Sequence, residues 1–171
     1  MGMRPTLLNS CAMAATAAEA RFRINAPAFT RRATRIVALD DGAATIMRSV
    51  ATSSWAGARF FSYEPGDQPD HANGQVADIA LHAPDGSSTR LSDELSDADV
   101  MVMIATADDG AEAAAAIGRA CTLRGIMTAG LILGDGRDVR AAVSALRPHA
   151  RVLMASKDEH DVSDMLTALR A

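Results

Sequence analysis

Hydrophobic positions along this chain fall into two kinds of block that take turns. Short unbroken apolar runs read as strands covered on both faces, and runs with one apolar stripe read as helices. "RIVALD" (35–40) is the first strand. After Gly42, residues Ala43, Ile46, Met47 and Val50 recur at the i, i+3, i+4, i+7 spacing of one helix face. "ARFFSY" (58–63) is a second strand, and "EPGDQPDHANG" (64–74) a polar, turn-rich loop. "VADIALHA" and "SSTRL" flank "PDG", the pattern of two short strands about a tight turn, and the acids around Leu95 fit one helical turn.

The second half repeats the alternation more strongly. "DADVMVMIAT" (97–106) is a continuous apolar strand, followed by an alanine-rich helix over 108–125 with acids first and arginine last. "IMTAGLIL" (126–133) is another buried strand. Asp135 is placed to cap a helix whose core face is Val139, Ala142, Val143 and Leu146, ending before Pro148. "RVLMAS" (151–156) and an amphipathic helix through Val162, Met165, Leu166 and Leu169 complete the pattern. Strands alternating with helices predict right-handed crossovers and a doubly wound, mainly parallel, Rossmann-like α/β sheet with helices on both faces.

At 171 residues, the chain suits one such domain over 35–171. Charge separates what precedes it. Residues 1–34 carry five arginines against Glu19, for +4, whereas the remainder carries twelve basic and twenty acidic residues, for −8. The basic, acid-poor head reads as a flexible arm, and secondly as a targeting segment. A nucleic-acid-binding arm comes third, since five arginines alone are weak grounds for that role. No run reaches the roughly 20 apolar residues of a membrane span. Cys11 and Cys121 lack metal-type spacing, which predicts free thiols in a reducing, cytoplasmic setting, with Cys121 on a buried helix face.

Several segments, taken in order, resemble the nucleotide-binding half of the bacterial division GTPase FtsZ, a relative of tubulin. "RIVALDDGAATIMRSV" is similar to that family's first strand and helix, and "DADVMVMIATADDG" to the strand entering its glycine-rich phosphate loop. "LRGIMTAGLIL" and "RAAVSALRPHARVLMASKDE" are similar to the elements that follow, so the resemblance covers about residues 35–160. It implies a cofactor-binding crevice formed by Asp40, Asp41, Gly42, Asp108, Asp109 and Gly110. The departures fall on the same residues. Acids replace most of the glycines through which the family's backbone approaches phosphate, and no counterpart of the later domain that supplies the family's catalytic acid is expected within residues 35–171. A phosphate charge about 4 Å from one carboxylate is opposed by roughly 4 kcal/mol at an effective dielectric near 20. GTPase activity is therefore not expected.

The leading expectation is a non-hydrolysing, FtsZ-like pseudo-enzyme that binds a protein partner or a second copy of itself. One alternative is a metal-assisted small-molecule enzyme, in which Asp41 and Asp109 among the four aspartates hold Mg²⁺ and Lys157 neutralises developing charge. Helix capping by Asp41 and by Asp108 or Asp109 is the simpler use of these acids. Lys157, the chain's single lysine, follows a strand directly, as in a receiver-like signalling domain, but the middle strand then ends at Ala105 and Thr106 where a phosphoacceptor aspartate belongs. His71, His82, His149 and His160 form no cluster and read as solvated, and Trp55 as a hydrophobic end to the first helix.

Overall fold

A computed structural model describes residues 32–64, 79–134 and 138–171. These lie in a compact unit spanning Arg31–Ala171. The expectations for the basic arm, for His71, Cys11 and Asp135, and for most of the 64–74 loop fall outside the described residues. Regular structure starts with β1 (Thr34–Ala38), followed by α1 (Asp41–Ala51), β2 (Ala58–Ser62), β3 (Ala80–His82), β4 (Ser88–Arg90) and the single turn α2 (Leu91–Glu94). Then come β5 (Val100–Ala105), α3 (Ala111–Arg124), β6 (Met127–Leu133), α4 (Arg140–Leu146), β7 (Val152–Ser156) and α5 (His160–Leu169). The first strand begins at Thr34, one residue inside the expected arm. Ala33 N–H donates to the Asp99 carboxylate at 2.9 Å and Arg32 N–H to Arg170 C=O at 3.3 Å, so these residues are tied to the sheet and the last helix.

Among the described residues the strands form one seven-stranded, mostly parallel sheet in the order β4-β3-β2-β1-β5-β6-β7. β2, β1, β5, β6 and β7 run parallel, and β3 and β4 return as an antiparallel hairpin with Leu81 opposite Thr89. The "PDG" turn expected there is present, with Gly86 at φ 86°.

Alternation along the central strands sends side chains into two separate cores. Ile36, Ala38, Val100, Val102 and Ile104 pack with Met47 and Val50 of α1 and Val162 and Leu166 of α5. Val37, Leu39, Met101 and Met103 pack instead with α2, α3 and α4, through Leu91, Ile117, Cys121 and Leu146 among others. Each large side chain taken wholly from water contributes about 1.5–3 kcal/mol, so the central pair β1–β5, buried at every position, anchors both cores. β7 differs. Its sequence is as apolar as that of β6, yet it lies at the sheet edge and Val152 is 51% exposed.

The amino ends of the strands hold a charge cluster that the sequence pattern does not announce. Parallel register sets Arg35 beside Arg59, a like-charge pair on neighbouring strands. Glu94, at the end of α2, lies between them: one oxygen is 2.9 Å from both Arg35 Nε and an Arg59 guanidinium nitrogen. Its other oxygen accepts from Thr89 Oγ1 at 3.2 Å. Arg35 and Glu94 are each only 3% exposed, and Asp97 completes the neutralisation of Arg35 at 2.5 Å. This set attaches the hairpin excursion to the parallel strands.

Truncating one member of a buried pair leaves an uncompensated charge, which costs about 3–5 kcal/mol. Glu94→Ala is therefore expected to lower urea-unfolding stability by about that amount, whereas Asp97→Ala, at a largely exposed carboxylate, should lower it by no more than about 1 kcal/mol.

Candidate functional site

Strand order reverses between β1 and β5. α1 leaves β1 towards one core and α3 leaves β5 towards the other, and the carboxyl ends of such neighbours are where an open α/β sheet offers a ligand a place. Leu39 N–H still bonds Ile104 C=O across the pair at 2.9 Å, so the chain first turns away at Asp40. Asp40 has extended backbone (φ −149°, ψ 170°) and is the N-cap of α1; Asp41 is already the first helical residue. The capping expected of Asp41 therefore belongs to Asp40, because pairing with β5 keeps the strand conformation running one residue before the acids.

Asp40 caps more than one element. Its Oδ1 accepts from the α1 backbone N–H of Ala43 at 2.9 Å and from Thr106 Oγ1 at 2.5 Å. Oδ2 accepts from the backbone N–H groups of Thr106 at 2.7 Å and Ala107 at 3.1 Å. The side chain is 3% exposed. Four donors, three of them backbone N–H groups including one at a helix start, solvate the carboxylate in place of water. This is the donor arrangement that an α/β strand-end crevice offers to a phosphate. Here a side chain of the protein accepts from it.

The neighbouring turn is closed by packing as well. A Cβ on Gly110 would collide with Leu39 C=O, and one on Gly42 with the Thr106 hydroxyl, so the two turns touch at the positions where glycine survives. Asp108 is also engaged. Its Oδ1 accepts from the backbone N–H of Ala142 at 2.9 Å, capping the first turn of α4 rather than α3, the helix that follows it in the chain. Asp41 and Asp109 are exposed. The structure thus brings Asp40 and Thr106 together and leaves the expected Asp41–Asp109 pair on the surface. Among the described residues no three His, Cys, Asp or Glu side chains form a group able to hold a metal ion.

Lys157 is exposed just beyond β7, with β5 and β6 between that strand and β1. At about 4.8 Å per strand, three spacings set its base about 14 Å from the Asp40 strand. Asp158 beside it pairs with His160 instead: the His160 backbone N–H, and then its ring nitrogen at 3.0 Å, hold the Asp158 carboxyl below the usual range. Trp55 is partly buried beyond α1, with its indole N–H on Val50 C=O at 3.0 Å. Cys121 is buried as expected. Burial pushes its thiol up to about 11, against smaller opposing effects of Thr128 and Arg124. Thr106 is the site residue that the sequence pattern missed; the available signal was a hydroxyl ending an otherwise apolar run.

Compared with known protein families and curated proteins, the chain matches no family model and no curated sequence.

Removing the Asp40 side chain leaves several donors without an acceptor. Asp40→Ala is expected to cost about 3 kcal/mol or more in denaturant unfolding, and Thr106→Val, which removes one hydroxyl donor, about 1 kcal/mol. In a Cys11→Ser background, Cys121 should react with a thiol reagent at pH 8 more than about a hundredfold more slowly in folded than in unfolded protein. Rates of alkylation with and without denaturant measure this.

Proposed function

We propose that this is a non-hydrolysing binding domain, an FtsZ-like pseudo-enzyme whose nucleotide crevice is closed by its own carboxylate. The observation that carries the reading is Asp40, which takes up Ala43 N–H, Thr106 N–H and Ala107 N–H at the junction of β1 and β5. A phosphate placed there would lose those donors and meet a negative charge. A doubly wound, Rossmann-like arrangement is supported by helices attached to two cores and by the order β3-β2-β1-β5-β6-β7, which follows the dinucleotide-fold order except that β3 is antiparallel. With the crevice closed, recognition of a protein partner or of a second copy of the chain would run through the surface of the domain.

The parallel strands alone, in the order β2-β1-β5-β6-β7, favour one second reading, a receiver-like signalling domain. Acids after the first strand and Lys157 after the last support it. Against it, β5 ends at Ala105 and the next residue, Thr106, donates to Asp40.

Thermal unfolding of the whole chain with GTP, GDP or ATP, each with and without Mg²⁺, separates these readings from an active nucleotide site. A ligand at 100 times its dissociation constant adds roughly 2.7 kcal/mol, several degrees for a domain of this size. No shift is expected with any nucleotide. A rise specific to guanine nucleotide, abolished by Asp41→Ala in the presence of Mg²⁺, would overturn the proposal.

A further inference from the structure

The two edges of the sheet are built differently. β4 has three residues, ends in a charge at Arg90 and runs straight into α2. β7 has five, Val152–Ser156, with no charge, proline or glycine among them and no break in its register against β6. Short or charged edges resist pairing with another chain, whereas an uncharged, regular edge invites it.

The hydrogen-bond pattern identifies the groups of β7 that are left over. In a parallel ladder, backbone groups of alternate residues point to opposite sides of the strand. Met127 N–H donates to Asp99 C=O, towards β5, so Thr128, Gly130, Ile132 and Gly134 serve β7. Gly134 N–H donates to Ser156 C=O at 2.9 Å, in keeping with that phase. Val152, Met154 and Ser156 therefore bond β6, and the N–H and C=O groups of Leu153 and Ala155 face outward. Among the described residues no strand pairs with that side of β7. Beside Ala155, which is exposed, runs a groove of about 390 Å³ lined by Ile132 and, on α4, by Arg140, Val143 and Ser144.

Charge differs between the two ends of β7. Arg147 and Arg151 precede it, for +2, and Lys157, Asp158, Glu159 and Asp161 follow it, for −2. Arg147, Arg151, Lys157, Asp158 and Glu159 are exposed. An antiparallel neighbour of the same sequence sets each end against its opposite, whereas a parallel one would set like against like.

We propose that β7 pairs with β7 of a second copy of this chain, about a two-fold axis through Met154, to form one continuous sheet. This gives the proposed binding domain its partner and rests on that reading. Centring on Met154 is the one antiparallel register in which every residue of Val152–Ser156 is matched. Leu153 then exchanges backbone hydrogen bonds with Ala155 of the copy, and Ala155 with Leu153 of the copy. Met154 meets Met154 of the copy at the closer, non-hydrogen-bonded spacing. Leu153 of the copy stands beside Ala155, whose small side chain leaves the groove open to it.

Sedimentation equilibrium of the full chain is expected to show a reversible passage from 17.9 kDa to twice that mass. Ala155→Pro removes an N–H that faces away from β6, so the variant should fold. It deletes two hydrogen bonds per dimer and should raise the dissociation constant about thirtyfold. Disulfide formation in a Cys11→Ser background reads the register. Met154→Cys should cross-link two copies under mild oxidation, and Val152→Cys, opposite Ser156 of the copy, at least about tenfold more slowly. A chain still monomeric at millimolar concentration, a dimer indifferent to Ala155→Pro, or cross-linking no faster at 154 than at 152 would overturn the proposal. None of these outcomes involves a nucleotide, so the pairing can fail while a flat thermal scan leaves the binding-domain reading standing.

Discussion

Two strand ends meet at the Asp40 carboxylate, and the arrangement of both cores depends on that junction. An open α/β sheet has a gap where consecutive helices depart to opposite sides, and the backbone donors around it need acceptors. In a nucleotide-binding domain a ligand phosphate supplies them. Here Asp40 accepts from the start of α1 and from the turn after β5 at once. The helix on one face and the loop leading to the other are thereby fixed to a single side chain.

The sheet solves a second electrostatic problem at its amino ends by a different route. Around Asp40 the charge is dispersed over backbone dipoles and a hydroxyl. Around Glu94 it is matched by two guanidinium groups that the parallel register brings side by side. A dipole cradle closes a turn locally. The ion cluster joins β1, β2, β4 and α2, and so sets where the hairpin excursion rests. Among the described residues, no buried side-chain polar atom lacks a hydrogen-bond partner, which is what low-dielectric surroundings require.

Elements were legible in the sequence wherever local periodicity decides them. The block at Val100–Ala105 and the stripe through Met47 and Val50 could hardly form anything else. What local pattern could not carry is pairing at long range. Which of two successive aspartates caps α1 depends on Leu39 still bonding Ile104, a residue 65 positions away. Asp108 reads as a cap for the helix next to it, but it serves Ala142 instead. "RVLMAS" and "IMTAGLIL" look equally buried, and only strand order makes one of them an edge. The sequence thus points to the strand ends where Asp40 sits, but not to Thr106, its partner there.

The junction between β1 and β5 also bears on how the chain comes together during synthesis. Asp40 and Thr106 are separated by 66 positions, and β2, the hairpin and α2 all lie between them. Closing a loop of that length costs entropy before any contact compensates, so the central pair forms late relative to its own helices. On the ribosome the first strand has no central neighbour until β5 has emerged. Until then the turn at Asp40 presents its carboxylate to water, and α1 has only the sheet's first half to lean on. The strand made first therefore waits for β2, the hairpin and α2 before its central neighbour arrives.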